Sequence, residues 1–101
     1  MPQLRIDLQE GFTGDLVIMR FDGKEIYRAS PRTKLQIGLA EVCTIDVPDS
    51  TRRLSLDVEI PTRGASASYG FVPSGDLSVG VSLEPNGVIS FRTSLEAFGY
   101  V

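Results

Sequence analysis

The sequence predicts an all-β chain folded as an antiparallel two-sheet sandwich of seven or eight strands. Three observations carry that expectation. Apolar residues recur with period two along most of the chain, turn-forming residues separate the alternating runs, and no long segment keeps a helical period. The 101 residues are 42% apolar with a net charge of −3, a composition that folds and fits one domain spanning 1–101.

The first run alternates Leu4, Ile6 and Leu8 with Arg5, Asp7 and Gln9, predicting a strand near 3–9. Gly11-Phe12-Thr13-Gly14 then signals a turn. Strands near 15–21 and 24–29 flank Asp22-Gly23, a pair suited to a two-residue type I′ turn. That turn pairs Phe21 with Lys24, Arg20 with Glu25, Met19 with Ile26, Ile18 with Tyr27 and Val17 with Arg28. The span 30–39 is compatible with a strand through Leu35, Ile37 and Leu39, or with one helical turn joining Leu35 to Leu39.

Strands near 40–47 and 52–60 enclose Pro48-Asp49-Ser50-Thr51. As a four-residue loop this sets Val47 beside Arg52, Ile45 beside Leu54 and Cys43 beside Leu56, with Asp46 beside Arg53 on the other face. Further strands are expected near 65–72, 76–84 and 88–93. A three-residue Pro85-Asn86-Gly87 loop matches Leu83 with Ile89 and Val81 with Phe91, keeping apolar residues on one face. The architecture expected from these strands is immunoglobulin-like or transthyretin-like. Its core should hold Leu4, Ile6, Met19, Phe21, Cys43, Ile45, Leu54, Leu56, Val58, Val79, Val81 and Phe91.

Absences narrow the chemistry. The chain has no His and no Trp, and Cys43 is its one cysteine. Triads built on histidine, histidine metal ligands and intramolecular disulfides are therefore excluded. Cys43, in phase with Ile45 and Val47, reads as a core thiol. Ser66 and Ser68 lack a Gly-x-Ser-x-Gly setting and read as small edge-strand or loop residues. Asp46, Asp49, Asp57 and Asp76 are spaced as ion-pair partners and turn caps, so no metal and no cofactor is expected. Ten basic residues against thirteen acidic ones argue against nucleic acid, and no apolar run approaches the roughly 18 residues of a membrane helix. The N-terminus shows no secretory pattern, and a cytoplasmic location is expected.

These features point to a non-catalytic interaction module that self-associates, as a dimer or with a protein partner. Its expected contact surface is the outer face of the 15–29 hairpin, with Leu16, Ile18 and Tyr27 at the centre and Arg20 and Glu25 as a charged margin. Either the tail bearing Phe98 and Tyr100 or a second copy would cover it. A different class of function, binding of a small ligand, carbohydrate or calcium through loop Asp and Arg residues, would use the basic stretch of Arg28, Arg32 and Lys34. Enzymatic activity ranks last, since the usual acid–base groups are missing.

Overall fold

A computed structural model describes residues 3–34, 36–47, 52–73, 75–95 and Phe98. Eight strands lie among them: β1 (Gln3–Leu8), β2 (Val17–Phe21), β3 (Lys24–Ala29), β4 (Glu41–Asp46), β5 (Leu54–Ile60), β6 (Ala65–Phe71), β7 (Leu77–Leu83) and β8 (Ile89–Ser94). Each overlaps one of the segments expected as a strand. A single 3₁₀ turn over Pro61–Arg63 is the helical element among the described residues. No helix there is long and apolar enough to cross a membrane.

The strands form two four-stranded sheets with orders β4-β1-β7-β8 and β3-β2-β5-β6. All pairings are antiparallel except β1 with β7, which run parallel with Leu4 opposite Leu77. The two sheets share one core, giving a sandwich-like all-β architecture. Alternation on β1 and β5 explains the core directly: Leu4, Ile6 and Leu8 from one sheet and Leu54, Leu56, Val58 and Ile60 from the other are buried. Val17, Met19, Val79 and Val81 complete its centre, and Phe12 is buried with them from the loop after β1. Phe21, Cys43, Ile45 and Phe91, expected inside, are only partly buried because each sits on an outer strand or near a strand end.

Two turns take the conformations their residues favour. Asp22 and Gly23 both have positive φ, 51° and 87°, as a type I′ turn requires. Gly87 has φ +86°, and Leu83 pairs with Ile89 and Val81 with Phe91, the register expected from a three-residue loop.

Other expectations are corrected. The pairing of Ile45 with Leu54 and Asp46 with Arg53 does not form, because β4 and β5 belong to different sheets. Ile45 lies beside Leu4, and Asp46 lies beside Gln3. Matching of faces is satisfied equally well when two such strands oppose each other across a core, so face chemistry does not decide between the two arrangements. The turn at 48–51 lies outside the described residues.

The β2–β3 hairpin keeps Phe21 with Lys24 and Arg20 with Glu25, then shifts register between Met19 and Arg20. Beyond that bulge Met19 pairs with Tyr27, Ile18 with Arg28 and Val17 with Ala29. One extra residue on β3 is absorbed there, which returns Tyr27 to the core side. In the 30–39 span, where Leu35 lies outside the described residues, the chain makes one turn of helical spacing at 34–38 rather than a strand. Bridges join Thr13 to Arg32 and Lys34 to Leu39, and Lys34 O accepts from Ile37 N and Gly38 N at 3.1 and 2.8 Å.

Candidate functional site

The expected contact surface on the 15–29 hairpin is not an apolar face. Ile18 is 5% exposed, and its cross-strand neighbours on the same face are Arg28 and Glu59. Long charged side chains in these positions cover apolar surface with their stems. Arg20 reaches Glu59 rather than Glu25, with Nη1 3.2 Å from Oε1. Glu25 instead accepts from Arg28 Nε and Nη2 at 3.1 and 2.7 Å. That hydrogen bond holds the Glu25 carboxyl below its ordinary range. Ser55 and Ser68 both donate to Asp57 Oδ1 on the same face, at 2.9 and 2.6 Å. Leu16 is half-buried ahead of β2.

Tyr27 points the other way. Paired with Met19, it packs against the core at the side where β3 and β4 are the outer strands. Its hydroxyl oxygen is buried and has no hydrogen-bond partner among the described residues. Burial pushes the Tyr27 hydroxyl up from its ordinary pKa, assisted by Glu41 and Cys43. Burial, then Glu41, raises the Cys43 thiol likewise. Phe98 lies against the opposite sheet, its ring centroid 4.6 Å from the Arg92 guanidinium carbon on β8. It does not cover the hairpin. Tyr100 lies outside the described residues.

The opposite side of the sandwich is built differently. There β6 and β8 are the outer strands of their sheets and approach one another. Tyr69 of β6 lies 5.8 Å from Phe91 of β8 and 5.8 Å from Phe71, and Phe71 lies 6.1 Å from Phe21 (all centroid distances). At the end of this aromatic row a cavity of about 170 Å³ opens between Tyr69, Phe71, Val72, Asp76, Leu77 and Leu95. Val72 and Leu95 are 49% and 80% exposed, two of the three most exposed large apolar residues described. Asp76 accepts the Gln3 backbone N–H at 2.8 Å on this side.

The β6 strand itself, Ala-Ser-Ala-Ser-Tyr-Gly-Phe, has no charged residue, no proline and no register shift against β5. The remaining outer strands are guarded. β3 carries Lys24, Glu25 and Arg28 and the bulge, β4 carries Glu41 and Asp46, and β8 carries Arg92. Charges and bulges are the usual devices that stop an edge from accepting another strand. The missing charge is readable in the sequence, where Ser66 and Ser68 read as small edge-strand or loop residues. What the sequence did not disclose is that β6 ends a sheet.

The basic stretch divides. Arg28 is spent on Glu25, whereas Arg32 makes no ion pair with any described residue. Arg32 borders a second concavity, of about 290 Å³, with Gly11, Phe12, Thr13 and Thr33. Lys34 is exposed and belongs to the turn beyond it. Of the acidic candidates, Asp46 meets Gln3 Nε2 at 3.4 Å, Asp57 meets two serines, and Asp49 lies outside the described residues. Among the described residues no three acidic or cysteine side chains gather as metal ligands would. No protein-family model, curated protein or solved structure matches the chain.

Proposed function

We propose that this chain is a non-catalytic module that pairs with a second copy of itself along β6. The observation that carries the reading is the seven-residue uncharged outer strand Ala65–Phe71. Its unpaired backbone groups form a template for one more strand, and the same strand from a second copy is complementary to it by symmetry. An antiparallel pairing of the two β6 strands joins two four-stranded sheets into one continuous sheet. The exposed Val72 and Leu95 at the end of β6 supply apolar surface beside the backbone contacts.

The absence of histidine supports the non-catalytic reading. The sheet orders support the transthyretin-like form of the sandwich. In the immunoglobulin constant-type arrangement the first two strands share a sheet, whereas β1 and β2 are in different sheets here. A single free thiol, Cys43, is compatible with a cytoplasmic setting.

The test is light scattering on a sizing column over a concentration series. The parent should run at twice its 11.0 kDa mass at high micromolar concentration. Ser66→Lys combined with Ser68→Lys should run as a monomer and melt close to the parent, since both positions are exposed. A parent that remains monomeric throughout would refute the pairing.

A further inference from the structure

The loop after β1 and the segment after β3 are tied into a rigid frame at one end of the sandwich. Gly14 N donates to Pro31 O at 3.0 Å and Thr33 N to Phe12 O at 2.8 Å. The Thr33 hydroxyl bridges the two segments, accepting from Phe12 N at 3.1 Å and donating to Gln9 O at 2.6 Å. Buried Phe12 pins the frame to the core, and Pro31 is buried beside it. The frame presents a shallow bay of about 290 Å³ whose wall is the Arg32 side chain.

Arg32 is held there by shape. A Cβ at position 14 would stand 2.9 Å from Arg32 Nη2 and 3.1 Å from Cζ, and Gly14 has φ +99°. Glycine at this position lets the guanidinium lie close against the backbone. The carboxylate of the same loop, Asp15, is already engaged by Thr62 Oγ1 at 2.9 Å, Arg63 Nε at 3.0 Å and the Thr13 hydroxyl at 3.4 Å. Arg63 also reaches the Thr13 hydroxyl at 3.3 Å, so two guanidinium groups flank Thr13 on the rim of the bay. Five other arginines pair with carboxylates at 2.7 to 3.2 Å. Arg32 is left with its charge uncompensated by any described residue.

We infer that this bay is a binding site for a small oxyanion, a carboxylate or phosphate group, held by the Arg32 guanidinium. Arginine presents a planar fork of donors that matches either group in bidentate fashion. The size of the bay, at the low end for ligand pockets, restricts the occupant to a compact molecule. The site is independent of β6, so monomer and dimer alike should carry it.

The experiment is titration of the full ¹⁵N-labelled chain with inorganic phosphate and, separately, with benzoate, followed by amide chemical shifts. Saturable shifts are expected at 11–14 and 31–34, weakening as salt is raised. Arg32→Gln should lower the affinity at least about tenfold, as loss of a charge-assisted hydrogen bond does. Arg28→Gln should leave it unchanged, because Arg28 is occupied by Glu25. A preference for phosphate or for benzoate identifies which oxyanion the bay takes. Absence of saturable shifts with both probes, or equal binding by Arg32→Gln, would overturn the inference.

Discussion

The rings of Tyr69 and Phe91 lie 5.8 Å apart and tilted by 33°, bridging the outer strands of the two sheets on one side of the core. Tilted aromatic pairs at this spacing attract beyond the area they bury, by about 0.5–1.5 kcal/mol. Here the contact also ties β6 to β8 across the two sheets. A double-mutant cycle of Tyr69→Leu and Phe91→Leu, read by urea denaturation, should give a coupling energy in that range. A coupling near zero would mean the rings are neighbours without mutual stabilisation.

Leu56→Ala should destabilise the fold by about 2–5 kcal/mol, because Leu56 is fully buried between the sheets. Phe91→Ala should cost less than a full core truncation, because Phe91 is only partly buried. Chemical denaturation with unchanged m-values would separate these from changes in compactness.

Ile18→Glu should destabilise the fold by about 1–3 kcal/mol while leaving the proposed β6 pairing intact. The new carboxylate would sit beside Glu59 in a position that is almost closed to water. Thermal melting and sizing of the same sample read the two effects separately. Dissociation with unchanged melting would return the contact surface to the β2–β3 hairpin.

Tyr27 and Cys43 make stability fall at alkaline pH. Burial raises both groups above their free values, 10.0 and 9.0, so the folded state holds protons that the unfolded chain releases. Their contribution is complete below about pH 9 and is lost as pH rises through the folded values. Urea midpoints should therefore decline above about pH 9, and less steeply in Cys43→Ala. Reaction of native Cys43 with a thiol reagent at neutral pH should be slow.

Gly11→Ala should be strongly destabilising, by more than about 2 kcal/mol. Gly11 has φ +91°, and a Cβ there would overlap the Leu83 carbonyl oxygen. The loop after β1 is thus clamped to the end of β7, where Leu83 N donates to Glu10 O at 2.8 Å.

The eight strands were legible because alternation and turn chemistry are local. Asp22-Gly23 and Pro85-Asn86-Gly87 determine their own backbone geometry, and both hairpins start in the expected register. Sheet membership is not local. Nothing within Glu41–Asp46 distinguishes pairing with β5 from pairing with β1, because both partners offer an alternating apolar face. The extra residue at the β2–β3 bulge also left no mark, yet it moved Tyr27 from the outer face to the core. Asp7 and Gln9 alternate away from the core but are 0% and 5% exposed, with Gln9 laid over Gly80 of the neighbouring strand. That burial depends on which strands adjoin β1. Of the candidate sites, the uncharged run at β6 and the basic stretch at Arg32 were visible as composition. That Arg32 has no ion pair among the described residues, and that β6 ends a sheet, are properties of the assembled fold.

Electron spin–spin distances test the β6 pairing most directly. With Cys43→Ala removing the native thiol, a spin label placed at Ser66→Cys reports only distances between copies. Antiparallel pairing of the two β6 strands predicts a defined separation within about 25 Å, given ~4.8 Å between strands and ~3.4 Å per residue along them. A label at Arg28→Cys on β3, at the far side of the same sheet, should give a longer distance. A defined short distance at position 28 with none at position 66 would contradict the account.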